Sequence, residues 1–265
     1  MKSQKRWGID VAEYTPIKTV IQTFEILDIL SQHQKMGVSE MARLTMLPKS
    51  TIYRHLRTLV DLNVVAQDKD ENYYLGYKML KYQNHMKQTD SLIHHLKPFM
   101  RRLVEKTGEA INLGILVNQE VCILHTEYGE QYTLQAQLGP TSMLHCSGMG
   151  KWFLNTFSDE ALETYFKTAT SRTIHTVTTA KAFKHDMATR PHQDIVVDRE
   201  EYEYGLMCIA TPIRDESGVI QASMSISGPV SRLEHKGLDV MQETLLEEAT
   251  KASNYLQDIG YWISR

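Results

Sequence analysis

Pro48-Lys49-Ser50-Thr51-Ile52-Tyr53-Arg54-His55-Leu56-Arg57 carries two stripes at helical spacing. Ile52, Leu56 and Leu59 fall on one side, and Ser50, Tyr53, Arg54 and Arg57 follow i, i+3, i+4, i+7 on another. A DNA-reading helix needs this division, because an apolar face fixes it to its domain while a polar face enters the major groove. Arg54 and Arg57 have the forked donors that fit guanine O6 and N7, or a phosphate. Ser50, Thr51 and Tyr53 can donate to phosphate oxygens and set register. Pro48 is tolerated in a first helical turn, where its missing N–H had no partner. Lys49 sits at the positive end of the helix, which also suits a phosphate. Taken alone, a surface helix with two arginines is common, so the flanking sequence decides.

Upstream, Ile17, Val20, Ile21, Phe24 and Leu27 predict an amphipathic helix over 17–32 that is broken at Gly37. Ser39 is expected to cap a short second helix through Thr45 and is grouped with the DNA-facing residues. Met46-Leu47-Pro48 is long enough only for a turn, and the third helix runs from Pro48 or Lys49 to Leu62. After Asn63 the period becomes two: Val64–Gln67 and Tyr73–Leu75 are β-type runs joined by Asp68-Lys69-Asp70-Glu71-Asn72. Three helices and a hairpin is the winged helix-turn-helix order. The hairpin tip has three acids against Lys69, so this wing is expected to stand off phosphates and Lys69 is a weak contact candidate.

Charge supports a local nucleic-acid surface rather than a basic protein. The 265-residue chain has 29 Lys and Arg against 32 Asp and Glu, a net charge of −3. Residues 1–86 hold 12 basic against 9 acidic residues, and between Ile29 and Val60 Lys35, Arg43, Lys49, Arg54 and Arg57 face one acid, Glu40. The composition, 42% hydrophobic and 23% charged, excludes disordered, collagen-like and disulfide-scaffold classes. The length suits about two domains of roughly 100–200 residues. Cys122, Cys146 and Cys208 lie far apart without metal-type spacing, which fits a reducing cytosol. No signal peptide is read at the N-terminus, and no stretch reaches the ~18 apolar residues of a membrane span. A cytoplasmic protein is expected.

The domains expected are 1–76, a linker helix over 77–95 with a break or cap at Asp90-Ser91, and 96–265. In the last, strands are predicted at 112–117, 121–128, 132–138, 206–213 and 219–227, with helices at 149–167 and near the C-terminus. Terminal helices around hairpin-connected strands imply an α+β domain with an antiparallel sheet.

The segment 48–56, the following hairpin with Tyr73-Tyr74-Leu75-Gly76, Leu144-His145-Cys146-Ser147-Gly148-Met149-Gly150-Lys151, Asp198-Arg199-Glu200-Glu201-Tyr202, Gly205–Ile213 and Ser223–Pro229 together resemble an IclR-type transcriptional regulator, nearest its KdgR-like branch. The resemblance spans about residues 17 to 260. It implies an N-terminal winged helix-turn-helix domain and a C-terminal GAF-like sensor domain. It also implies a homodimer that can pair into a tetramer, a double-stranded DNA operator and a small-molecule effector, with no cofactor and no metal.

By the family's pattern the effector contacts fall on Gly148, Met149, Asp198, Cys208, Ser225 and Ser227. The residues agree in part. Gly148-Met149-Gly150 precedes a helix whose free N–H groups suit a carboxylate, and Ser225 and Ser227 share one face of a strand. His145 is a further candidate donor. Such a pocket suits a polyhydroxy acid or keto acid. Plainer roles are open too: turn glycines, a core thiol at Cys208, a helix cap at Asp198, and serines satisfying backbone. Met149 stands where a small residue is common and is expected to shrink the pocket; Gly139-Pro140-Thr141-Ser142 lacks an arginine often found there.

Enzyme signatures are missing. His145-Cys146 are chain neighbours, which rarely meet as a nucleophile and base. Ser147 lacks the first glycine of GxSxG, Gly150-Lys151 lacks the rest of a phosphate loop, and the 11 histidines show no HExxH spacing. The expectation is a dimeric, effector-controlled DNA-binding regulator acting as a repressor. The competing reading is a metabolite-binding enzyme or scaffold whose helix-turn-helix makes protein contacts.

Overall fold

The apolar stripe of residues 52–59 is the seam of the first structural unit. The computed structural model describes residues 15–83, 87–129, 141–190 and 192–261. Its contacts divide the chain after Met86. The first unit holds α1 (Lys18–Gln32), α2 (Val38–Thr45), α3 (Lys49–Asp61), the antiparallel hairpin β1 (Val65–Gln67) and β2 (Tyr73–Leu75), and α4 (Lys78–Gln83). Ile52, Leu56 and Leu59 are buried with Ile26, Leu27, Leu30, Met41, Val65 and Tyr73. Met46 closes α2 in the left-handed region at φ 57°, which turns the chain within three residues into α3.

The expected first helix is present as α1, and one expectation, the cap at Ser39, fails. The stripe Ile17, Val20, Ile21 and Phe24 is exposed, and α1 packs through Ile26, Leu27 and Leu30. The helix carries apolar residues on two faces, and periodicity alone does not say which one meets the core. Ser39 is not a cap: Gly37, extended at φ −87° and ψ 159°, precedes the helix, and Ser39 is its exposed second residue. Glycine ranks among the acceptable N-cap residues without any side-chain bond.

The second unit holds α5 (Lys87–Thr107), β3 (Ala110–Val117), β4 (Glu120–Glu127), β5 (Thr141–Met143), a 3₁₀ turn (Leu144–Cys146), α6 (Gly148–Leu154), α7 (Asp159–Phe166), α8 (Ala180–Thr189), β6 (Val196–Arg199), β7 (Leu206–Arg214), β8 (Ile220–Pro229), α9 (Val230–Lys236) and α10 (Leu238–Asp258). Among the described residues, six strands form one antiparallel sheet in the order β5-β4-β3-β8-β7-β6. The expected strand 132–138 lies outside the described residues. The expected helix 149–167 is two helices, because Ser158 caps a new start by accepting from the Ala161 N–H. The stretch 77–95 is split between α4 and α5, and Leu92 belongs to the second unit's core.

Period-two alternation sorts the sheet's two faces. Ile111, Leu113, Met207, Ile209, Met224 and Ile226 point into a core closed by α5 and α10. Asn112, Cys208, Ser225 and Ser227 alternate with them and face the other way. On that side α6, α7 and α8 pack through Trp152, Phe153, Leu162, Phe166 and Phe183. The buried acid Glu248 fastens α10 to α5 through Arg102 and Lys106, each at 2.9 Å. Burial opposes its charge, but the donors from Lys106 and Arg102 hold its pKa down at about 2.

Candidate functional site

On α3, Lys49, Ser50, Tyr53, Arg54 and Arg57 are exposed and Thr51 is half-buried. The helix thus presents one polar ridge opposite its buried stripe. Arg57 leans toward Asp61, with Nε 3.8 Å from Oδ1 across exposed side chains, a contact worth roughly 0.3–0.5 kcal/mol and easily exchanged. His55 is turned inward, its Nδ1 2.8 Å from the Thr23 hydroxyl of α1. The acidic wing is partly neutralised: Lys35 Nζ bonds Asp68 Oδ2 at 2.9 Å, and Asp68 Oδ1 accepts from the N–H groups of Asp70 and Asn72. Asp68 therefore builds the hairpin tip, and Lys35 is drawn out of the basic set.

In the second unit, a cavity lies between the polar stripe of the sheet and the start of α6. Gly148, Met149, Asp198, Cys208, Ser225 and Ser227 all line it, joined by Ile123, Ser142, Ser147 and Tyr202. Strand register explains the gathering. Asp198 pairs with Cys208 and Cys208 with Ser227, while Asn112 pairs with Ser225. Asn112 Nδ2 donates to Ser227 Oγ at 2.9 Å and Ser225 Oγ at 3.3 Å, and its Oδ1 accepts from Thr126. This leaves the Ser225 hydroxyl hydrogen available to the cavity. Cys208 Sγ lies 3.1 Å from Ser227 Oγ.

Asp198 is 1% exposed and accepts the Glu201 N–H at 2.8 Å. It sits within β6 and braces the turn that follows the strand, so the helix-cap role is not what it plays. Burial first, and the charge of Glu201 second, raise its pKa to about 7. Burial also pushes the Cys208 thiol up, and Cys146 to about 12, so both remain protonated and unreactive. Behind the cavity, the fully buried Lys151 ammonium bonds Asp186 Oδ2 at 2.8 Å and Glu201 Oε1 at closer range. Burial opposes that charge, but the two carboxylates hold the Lys151 pKa above its ordinary value.

Two local expectations change. His145 does not serve the cavity: its Nδ1 is 2.9 Å from the Tyr165 hydroxyl and its Nε2 is 2.9 Å from the Thr170 carbonyl. Tyr165 accepts the Leu144 N–H, so it donates to Nδ1 and fixes a neutral ring that donates from Nε2. Gly150 is not a turn glycine; it sits in α6, where a Cβ would come within 2.4 Å of the Leu144 carbonyl oxygen. Met149 is buried against the cavity, as its bulk suggested, and the space open to the centres of water-sized molecules is about 20 Å³, room for a water or so.

The sequence reading missed Tyr202, Ser147, Ser142, Ile123 and the Lys151–Glu201 pair. Tyr202, Glu201, Ser147 and Lys151 all stand inside the motifs it quoted. Asn112 had a signal as well, an amide among apolar residues on a central strand. Among the described residues no group of three His, Cys, Asp or Glu is placed to hold a metal, and no helix is long and apolar enough to cross a membrane.

Comparison with known proteins assigns both units. Residues 84–254 match the family described as bacterial transcriptional regulator IclR C-terminal, and residues 19–69 match the IclR helix-turn-helix domain. The chain belongs to the IclR family of transcriptional regulators. It is 31% identical over 253 residues to the HTH-type transcriptional regulator KdgR of Escherichia coli K12, covering 92% of this chain and 94% of that one. It is 30% identical over 250 residues to the KdgR of Dickeya chrysanthemi, covering 92% and 81%. Among solved structures, the IclR of Thermotoga maritima aligns with a TM-score of 0.65 at 26% identity, over 92% of this chain and 99% of that one. An IclR homologue from Microbacterium hydrocarbonoxydans, crystallised with 4-hydroxybenzoate, shares the fold at a TM-score of 0.72 and 22% identity, over 91% and 100%. This IclR-family chain is KdgR-like, with a helix-turn-helix unit followed by an antiparallel sheet domain.

Proposed function

We propose that this IclR-family chain is a cytoplasmic, homodimeric repressor that binds a pseudo-palindromic DNA operator through α3 and is released by a small hydroxy- or keto-carboxylate held in the Asp198 cavity. The observation that carries it is the exposed ridge Lys49, Ser50, Tyr53 and Arg54 set opposite the buried Ile52, Leu56 and Leu59. Two-fold symmetry in the protein asks for two-fold symmetry in the DNA. The exposed apolar stripe Ile17, Val20, Ile21 and Phe24 on α1 gives the DNA-binding unit a surface suited to a second copy. The wing's Asp70 and Glu71 keep Lys69 a minor contact. Ser39, exposed on α2, and Thr51 complete the DNA-facing set.

The effector class rests on the hydroxyls of Ser225 and Ser227, the acceptor Asp198, and the hydroxy-carboxylate bound by the Microbacterium homologue. The effector acts only through unequal affinity for the DNA-bound and released conformations, a coupling of about 1–3 kcal/mol. The stretch 77–95 links the units and carries that coupling.

The test is a gel-shift titration against the chain's own promoter region over a salt series. Arg54→Ala is expected to weaken binding by about 1–3 kcal/mol if it reads a base. Affinity must also fall steeply as salt rises, through counterion release. Salt-independent capture of a protein partner instead of DNA supports the scaffold reading and sinks this one.

A further inference from the structure

We propose that the Asp198 cavity takes up its carboxylate effector together with one proton, held by Asp198, so that effector affinity falls as pH rises. This rests on the carboxylate reading above and names a regulation of the same site.

Among the described lining residues Asp198 is the one carboxyl, and none is a cation. Among the described residues, the cations acting on the cavity's titratable groups are Lys151 and Arg172, and both have partners. Lys151 on α6 is claimed by Asp186 of α8 and by Glu201. Arg172 stacks on the Tyr202 ring at 4.1 Å, donates to the Tyr202 carbonyl at 2.8 Å and lies 3.9 Å from Glu203. The thiols of Cys208 on β7 and Cys146 in the 3₁₀ turn are neutral. Glu201 itself has one buried oxygen, Oε2, without a hydrogen-bond partner. The ground behind the cavity is therefore acidic before any ligand enters.

Adding a carboxylate next to a buried carboxylate brings two like charges together in a poorly screened interior, and one of them then binds a proton. The proton comes from solvent and forms an O–H bond at a carboxyl oxygen of Asp198. Asp198 thereby changes from an acceptor into a donor, and an O–H···O⁻ bond to the effector replaces the repulsion. The backbone keeps its geometry, since the Glu201 N–H already rests on Oδ1. Independently of the ligand, burial and Glu201 leave Asp198 poised to take a proton near neutrality.

The experiment is isothermal titration of the full-length wild-type chain with gluconate, pyruvate and 4-hydroxybenzoate at pH 6.5 and 8.5. Each titration is run in phosphate and in Tris, whose ionisation enthalpies differ widely. The expected result is uptake of close to one proton per site at pH 8.5, read from the buffer dependence of the heat. The dissociation constant should weaken roughly tenfold per pH unit above 7. Asp198→Asn, whose amide oxygen can still accept the Glu201 N–H, should show neither uptake nor pH dependence. Wild-type binding without proton exchange overturns this inference and leaves the carboxylate reading standing. Uptake that persists in Asp198→Asn overturns the assignment to Asp198. No heat and no thermal shift from any of the three acids at either pH overturns the carboxylate reading, and the proton with it. The wild-type comparison decides the question even if the variant is unstable.

Discussion

Replacing Lys151 with methionine tests the buried charge network behind the cavity. The lysine side chain is 0% exposed, Glu201 8% and Asp186 42%. The Asp186 arm reaches solvent and contributes little, about 0–1 kcal/mol. The Glu201 arm carries the cost, because removing one partner of a buried pair leaves an uncompensated charge, typically about 3–5 kcal/mol. Burial already pushes the Glu201 pKa up, with Lys151 pulling it back. Without the lysine it rises further above its unfolded value, so native Glu201 holds a proton that the unfolded chain releases. Stability then falls as pH rises through that window, and the penalty is larger at pH 8 than at pH 5.5. In calorimetry of the full chain, the second unit's transition should drop by about 10 °C at pH 8, taking roughly 2–4 °C per kcal/mol for a unit of this size. The double variant Lys151→Met with Glu201→Gln should recover most of that loss. A single variant as stable as wild type at pH 8, or a double variant no better than the single, refutes the reasoning.

Gly150→Ala should destabilise the second unit by more than about 2 kcal/mol, since its Cβ has nowhere to go but the Leu144 backbone; an unchanged melting temperature would contradict that close approach. Burial holds the His145 pKa below its ordinary 6.5, so the unfolded chain takes the proton first and stability is lost as pH falls below about 6.5. His145→Gln should flatten that part of the melting curve between pH 7.5 and 5, and a variant with wild-type acid sensitivity would remove His145 as its source. Lys35→Ala breaks an exposed ion pair and should leave the melting temperature nearly unchanged, while a loss of several degrees would show the wing depends on it.

The faces of α3 are legible in the sequence because a short amphipathic helix states them itself: three apolar residues and four polar ones divide cleanly at 3.6 residues per turn. The same logic finds α1 but does not choose its buried face, because Ile17, Val20, Ile21 and Phe24 form as good a stripe as the one actually buried. Only the position of α3 and the hairpin selects between them. The cavity residues were legible through family motifs and strand parity, yet their meeting depends on register. Asp198, Cys208 and Ser227 become neighbours across three strands.

Local pattern by itself determined the helix-turn-helix, the hairpin, the antiparallel class of the second unit, and which face of β8 is polar. Those features arise from contacts within a few residues, where spacing encodes geometry. Tertiary structure alone decided that Lys151 meets Glu201 fifty residues away, that His145 turns to Tyr165, and that Asp198 lies in an interior dry enough to change its proton affinity. Burial, dielectric and long-range pairing belong to the folded arrangement, and no window along the chain contains them.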